Sequence, residues 1–211
     1  MTAKTIITSA DSLYAGELHR SSENFSLEAY GRYADLFFRA YYDYGTAAQR
    51  EAEDVMFDIW IDEPMRRDPV YLRDIRSGHA APGMRCDRLY LANPRGAQKD
   101  FTVVVESAVR VDSQATTLSD HKHRSSDNFS VDGLPEGEIS FHLFYHYGTP
   151  IQARASGISF AVRQNRLMHH PPVIWEQVTD GACVRSYGYE RLYIADPQGA
   201  SEPFTVIITE A

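Results

Sequence analysis

The sequence predicts an all-β chain, a tandem repeat of two antiparallel β-sandwich-like modules packed closely together. Three observations carry that expectation. Apolar residues alternate with polar ones along several runs, the period of strands with one buried face. Proline- and glycine-containing turn signals fall between those runs. The chain also repeats itself. His19-Arg20-Ser21-Ser22-Glu23-Asn24-Phe25-Ser26 returns as His123-Arg124-Ser125-Ser126-Asp127-Asn128-Phe129-Ser130, and Tyr44-Gly45-Thr46 returns as Tyr147-Gly148-Thr149. Residues 47–108 align with 150–211 without a gap. The expected modules are 1–105 and 106–211. One pseudo-symmetric sandwich or barrel made from both halves is the alternative.

The elements follow in order. Leu36, Phe38, Ala40, Tyr42 and Tyr44 form one period-two series, answered by Ile139, Phe141, Leu143, Tyr145 and Tyr147. Val55, Phe57, Ile59 and Ile61 form the next, with Trp60 in the opposite, outward phase; Ile158, Phe160 and Val162 match it. Ser77-Gly78 and Asp180-Gly181 mark one corner. Asn93-Pro94-Arg95-Gly96 and Asp196-Pro197-Gln198-Gly199 read as hairpin turns, with proline second and glycine fourth. Val103 with Val105, and Val206 with Ile208, close each repeat on a strand. Asp68-Pro69 and Pro171-Pro172 are excluded from central strands. Helical tendency is confined to 26–39 and 47–53, and about seven strands fit each repeat. The boundary stretch 101–113 has no proline or glycine, so no flexible linker is expected.

Composition narrows the function classes. The chain has 211 residues, 43% of them hydrophobic, enough for a substantial core. Its net charge of −8, with both halves acidic, argues against a nucleic-acid partner and an anionic membrane surface. The first residues lack a signal-peptide core and no run approaches membrane-spanning length. A soluble protein is expected, cytoplasmic or exported without a cleavable signal. Cys86 and Cys183 are not repeat-equivalent, which suits reduced thiols better than a disulfide framework.

The strongest site candidate is the repeated polar segment, with His19, Arg20, Ser22 and Asn24 in one copy and His123, Arg124, Ser126 and Asn128 in the other. Arginine and asparagine offer paired hydrogen bonds to vicinal hydroxyls or a carboxylate, and a histidine or nearby tyrosine can stack on a sugar face. The same residue types are ordinary turn formers, so a local structural role competes. His121 and His123, two apart, share a strand face and could hold a divalent metal. His142 and His146 share a face too, about 13 Å apart, and could meet that pair across a sheet. The first copy has Glu17, His19, Arg39 and Asp43 there, so a metal would be confined to the second half. The acidic loop 127–138 lacks calcium-loop spacing.

Hydrolase-elbow, phosphate-loop, His-Glu-x-x-His and Cys-x-x-Cys motifs are all missing from the sequence. Tyr41, Tyr42 and Tyr44, matched by Phe144, Tyr145 and Tyr147, make both faces of one strand aromatic, either for core packing or for an apolar ligand groove. The expected function is non-catalytic ligand binding, a lectin-like carbohydrate binder with one site per repeat. A glycan or other small polar molecule is the expected ligand, with a protein partner or homo-oligomer also open. No nucleic acid and no membrane insertion are expected. Two alternatives stand beside it. One is a metal-assisted small-molecule enzyme (lyase, cyclase or hydrolase) centred on the His-rich second repeat. The other is a toxin- or immunity-type protein-interaction module.

Overall fold

Strands and tight turns make up the computed structural model, which describes residues 4–8, 19–20, 35–62, 70–82, 88–112, 136–166, 169–187 and 191–211. No helix occurs among the described residues. The chain divides into two compact units, Ala3–Ser107 and Ala108–Ala211.

In the first unit the strands are β1 (Lys4–Thr8), β2 (His19–Arg20), β3 (Asp35–Tyr42), β4 (Arg50–Glu51), β5 (Met56–Asp62), β6 (Val70–Arg76), β7 (His79–Ala81) and β8 (Arg88–Arg95). The first half of β9 (Thr102–Asp112) completes it. One sheet places β9 between β1 and β3, while β7 and β4 pair with successive stretches of β3. The other runs β2-β8-β5-β6. The second unit comprises the end of β9, β10 (Glu136–Tyr145), β11 (Ala153–Arg154), β12 (Ser159–Arg166), β13 (His169–Thr179), β14 (Cys183–Tyr187), β15 (Arg191–Gln198) and β16 (Phe204–Glu210). Its first sheet carries β11 and β14 on β10, then β16, then residues 109–112 of β9. Its second runs β13-β12-β15. These strand pairs run antiparallel, and β9 serves the second unit as β1 serves the first.

Period-two patterning decides which faces meet. Leu36, Phe38, Ala40 and Tyr42 of β3 join Phe57 and Ile59 of β5, Ile75 of β6, Leu91 of β8, and Val103 and Val105 of β9 in one buried cluster. Ile139, Phe141 and Leu143 of β10 join Phe160, Val162, Val178, Ile194, Val206 and Ile208 in the corresponding cluster of the second unit. Each cluster gathers the apolar phase of several antiparallel strands. Aromatic contacts lie within each, with ring centroids 6.0 Å apart for Phe57–Phe101 and 6.2 Å for Phe160–Phe204. Fully burying such side chains contributes about 1.5–3 kcal/mol each.

Several local expectations change. Residues 35–39 are strand, because their apolar alternation finds partners in β7 and β9. Segment 47–53 makes isolated turns and then pairs Arg50–Glu51 with β3, so its helical tendency never propagates. The Asn93-Pro94 pair lies inside β8 instead of at a corner. β5 residues Met56 and Asp58 face Arg95 and Ala92, so β8 carries one extra residue in a bulge, with Asn93 at φ 47°. A second bulge on the other side of β5 puts Asp74 at φ 57°, and Gln177 takes φ 58° at the equivalent place in β13. The chain reverses beyond the proline, at Gly96 and Gly199. Pro171 and Pro172 lie within β13, an edge strand, in the irregular stretch between the Gln164–Val173 and Arg166–His169 pairs where neither has a register partner. The corners at Gly78 and Gly181 occur as expected, each with φ 80°. Pro69 and Cys86, and the side chain of Trp60, lie outside the described residues.

Gly96 (φ 77°) and Gly199 (φ 76°) have no room for a side chain. A Cβ would lie 2.3 Å from the Asp54 carbonyl oxygen in the first unit and 2.3 Å from the Gly157 oxygen in the second. Gly199→Ala should therefore lower stability by about 2 kcal/mol or more, read as a shift in the urea midpoint. His79, half-buried with its ring 6.5 Å from that of Phe38, is pushed down by burial to about 4 from 6.5. The unfolded chain thus binds the extra proton first. The stability tied to neutral His79 is whole above pH 6.5 and is lost as pH falls toward 4, by up to about 3 kcal/mol. His79→Gln should flatten that part of the stability–pH curve.

Candidate functional site

The turn after β3 is built almost atom for atom like the turn after β10. Asp43 (φ 53°) and His146 (φ 50°) end the strands in left-handed conformation, followed by Gly45 at φ 76° and Gly148 at φ 74°. The Asp43 carbonyl accepts from Thr46 N at 3.1 Å and Thr46 Oγ1 at 2.8 Å; the His146 carbonyl accepts from Thr149 at the same two distances. Gln49 takes a hydrogen bond from Gly45 N at 2.9 Å, and Gln152 from Gly148 N at 2.8 Å. Each turn then folds back onto its strand, with Ala52 N on Ala40 O and Ala155 N on Leu143 O.

This construction presents a pair of aromatic rings beside each turn. Tyr41 and Tyr44 are tilted against each other, centroids 5.6 Å apart, and both are half-buried. Phe144 and Tyr147 repeat the pair at 6.0 Å, with Phe144 buried and Tyr147 half-buried. Tyr42, on the opposite face, belongs to the core and is fully buried. The strand thus divides its aromatics, with Tyr42 packed in the core and Tyr41 and Tyr44 half-buried on the other side. Arg110 lies over the Tyr147 ring at 5.2 Å, and Ile151 at the second turn is 67% exposed.

A second loop docks beside each turn. The Tyr42 hydroxyl donates to Asp54 Oδ2 at 3.1 Å and accepts from Gln98 N at 3.2 Å. The Tyr145 hydroxyl accepts from Ser201 N at 3.4 Å. Lys99 and Asp43 then form an ion pair, and so do Glu202 and His146, at 3.2 Å, when the imidazole is protonated. Pro94 and residues 96–101 line an open depression of about 390 Å³ in the first unit.

On the face of β10 away from the core, His142 is buried and its ring is engaged at both nitrogens. Nε2 lies 3.1 Å from Thr209 Oγ1, and Nδ1 lies 3.5 Å from an Arg154 nitrogen. Arginine only donates, so a hydrogen bond from Arg154 requires Nδ1 to accept and, in the neutral ring, the proton to sit on Nε2. That tautomer donates to Thr209 and cannot take its proton, the reverse of nucleophile activation. Arg154 itself is forked onto Asp180, at 2.8 Å and 3.1 Å to Oδ2. The first unit has Arg39 3.9 Å from Glu106 at the place of His142 and Thr209.

Asp58, in β5 between the two bulges, is 8% exposed. Its carboxylate accepts from Asp74 N at 3.0 Å, Asn93 Nδ2 at 2.9 Å and Arg95 at 2.9 Å. Burial pushes its pKa up, but the hydrogen bonds from Asn93 and Asp74 and the Arg95 charge outweigh that and hold it below 3.8. An ionised group so fully occupied suits cross-bracing of the bulges, not proton transfer.

The sequence candidates fall as follows. His19 and Arg20 form β2, paired with Leu91 and Tyr90 on the edge of the second sheet. Ser22, Asn24, His121, His123, Arg124, Ser126 and Asn128 lie outside the described residues. His146 is not on a strand face with His142, because β10 ends at Tyr145 and His146 enters the left-handed turn. Among the described residues no three His, Cys, Asp or Glu side chains converge as a metal site requires. Cys183 is free and exposed, 3.1 Å from Ser140 Oγ. No helix among the described residues is long and apolar enough to cross a membrane. The platform pairs were missed as a unit; the signal was an aromatic three residues before Tyr44-Gly45-Thr46 and again before Tyr147-Gly148-Thr149, each followed by Gln49 or Gln152.

Asp58→Ala should cost about 1–3 kcal/mol at neutral pH, measured by urea unfolding. Because the folded pKa is depressed, this contribution is complete above pH 4 and vanishes as pH falls through the folded value. Wild type and variant should therefore converge in strong acid. Comparison of the chain with protein-family models, curated proteins and solved structures found no match.

Proposed function

We propose that the protein is a tandem pair of sandwich-like binding modules that engage a glycan without catalysis, one site per module. The observation that carries this reading is the repeated platform. Two ring pairs, Tyr41–Tyr44 and Phe144–Tyr147, sit beside turns of matching hydrogen-bond geometry, with Tyr41, Tyr44 and Tyr147 half-buried and Phe144 buried. Aromatic faces accept the C–H face of a pyranose, and the turn's amides and hydroxyls, with Asp43, Lys99, Glu202 and Arg110 nearby, suit its hydroxyls. Two such sites can engage a multivalent glycan together and gain avidity.

The tandem layout is supported by the shared pairing order, by two buried clusters, and by the equivalent glycine approaches of Gly96 and Gly199. It predicts that Phe57→Ala and Phe160→Ala each cost about 3–5 kcal/mol. Hydrogen exchange should show early loss of protection in 3–107 for the first variant and in 108–211 for the second. Loss spread evenly over the chain in both would contradict two modules.

The binding reading is tested on a glycan array with the intact protein, Tyr44→Ala, Tyr147→Ala and the double variant. Each single change should weaken binding to the best glycans by about tenfold, or roughly 1.4 kcal/mol, through loss of ring contact and avidity. The double variant should abolish it. A blank array for the intact protein, or binding that ignores both tyrosines, would reject the reading.

A further inference from the structure

We infer that charge reversal between the two units is an assembly code, one that stops the loops of one unit from docking on the other. This rests on the tandem layout proposed above. Repeat units of one fold in one chain can exchange equivalent elements during folding, a characteristic failure of multidomain and repeat proteins.

The main-chain contacts at the turn–loop joint are interchangeable. The hydroxyls of Tyr42 and Tyr145 receive main-chain N–H groups, of Gln98 and Ser201, which are blind to side-chain identity. Gly96 and Gly199 make the same close approach to a carbonyl. The turns share their hydrogen bonds. Geometry alone would therefore let the 199–203 loop dock against the first turn, and the 96–100 loop against the second.

The ion pairs differ. The first joint has an anion on the turn and a cation on the loop, Asp43 and Lys99. The second has His146 on the turn and Glu202 on the loop. Crossed docking would set Asp43 against Glu202 and, when the imidazole is protonated, His146 against Lys99. A second polar contact also differs between the units, at the corner that follows β6 and β13. Glu51 of β4 meets the Ser77 hydroxyl, whereas at the equivalent positions Arg154 of β11 meets Asp180. Ser77 and Asp180 both also take a strand amide, Ala40 N at 3.1 Å and Leu143 N at 2.8 Å, so they occupy the same structural place. Exchange of those corners between units would set Glu51 against Asp180 and Arg154 against a neutral hydroxyl. Exposed pairs such as Lys99–Asp43 contribute little to stability, but like charges brought together discriminate against the wrong partner.

The test is refolding of the full chain from urea at a concentration where wild type leaves a measurable exchanged-dimer fraction, read by size exclusion. Three variants are compared: Asp43→Lys with Lys99→Asp, His146→Asp with Glu202→Lys, and all four changes together. Each single reversal keeps an ion pair inside its unit but makes the crossed pairs attractive, so the dimer fraction should rise by roughly three- to tenfold. The fourfold variant restores opposition and should return to the wild-type fraction. A mere loss of stability would instead add across the two reversals, and the urea midpoint of each variant reports that loss separately. Single reversals that refold like wild type, or a fourfold variant worse than either, would overturn the code. The core variants at Phe57 and Phe160 test the tandem layout independently, so failure of the layout and failure of the code are distinguishable.

Discussion

The arrangement depends on one steric constraint, the absence of space for a Cβ where Gly96 meets the Asp54 carbonyl and Gly199 meets that of Gly157. Both carbonyls lie just before the central strand of a second sheet, β5 or β12. The contact sets where the following loop runs, and the rest follows from that path. Phe101 and Phe204 drop into the cores against Phe57 and Phe160. The next amides reach the hydroxyls of Tyr42 and Tyr145. The charged residues one step on reach Asp43 and His146. A backbone contact in the framework thus fixes the partner loop of the aromatic platform.

The two units spend their sequence differences in a pattern. Core positions vary within apolar types, as Ile59 against Val162 and Leu91 against Ile194 do. Positively twisted bulge residues persist as Asp74 and Gln177. The polar pairs outside the core are instead rewritten, with Arg39 and Glu106 becoming His142 and Thr209. The Asp58 brace has only Ala161 at its counterpart. Packing tolerates volume-conserving exchange, whereas a polar contact survives substitution only if its partner changes with it. Stability against acid is consequently uneven. Asp58 and His79 both lie in the first unit, and both lose their contribution as pH falls.

Much of the fold was legible because strand burial writes itself at period two. The series from Leu36 to Tyr42, and from Ile139 to Leu143, turned inward as read. Asn93-Pro94 misled because a proline-containing bulge and a turn share their local chemistry; only the register against β5 separates them. The helical tendency of 47–53 lost to strand pairing of Arg50 and Glu51. The candidate site was half legible. Tyr41 and Tyr44 were visible as aromatics, but the left-handed residue that turns Tyr44 back beside Tyr41 is Asp43, which carries no glycine signal. His142 looked available in sequence and is occupied because Thr209 and Arg154 arrive from strands distant in the chain.

The most direct test of the binding account is hydrogen exchange of the intact protein with and without its best array glycan. The account predicts added protection at both turns together, in residues 41–49 and 144–152, with the cores unchanged. Protection confined to the β2 edge around His19 and Arg20, or appearing at neither turn, would contradict it.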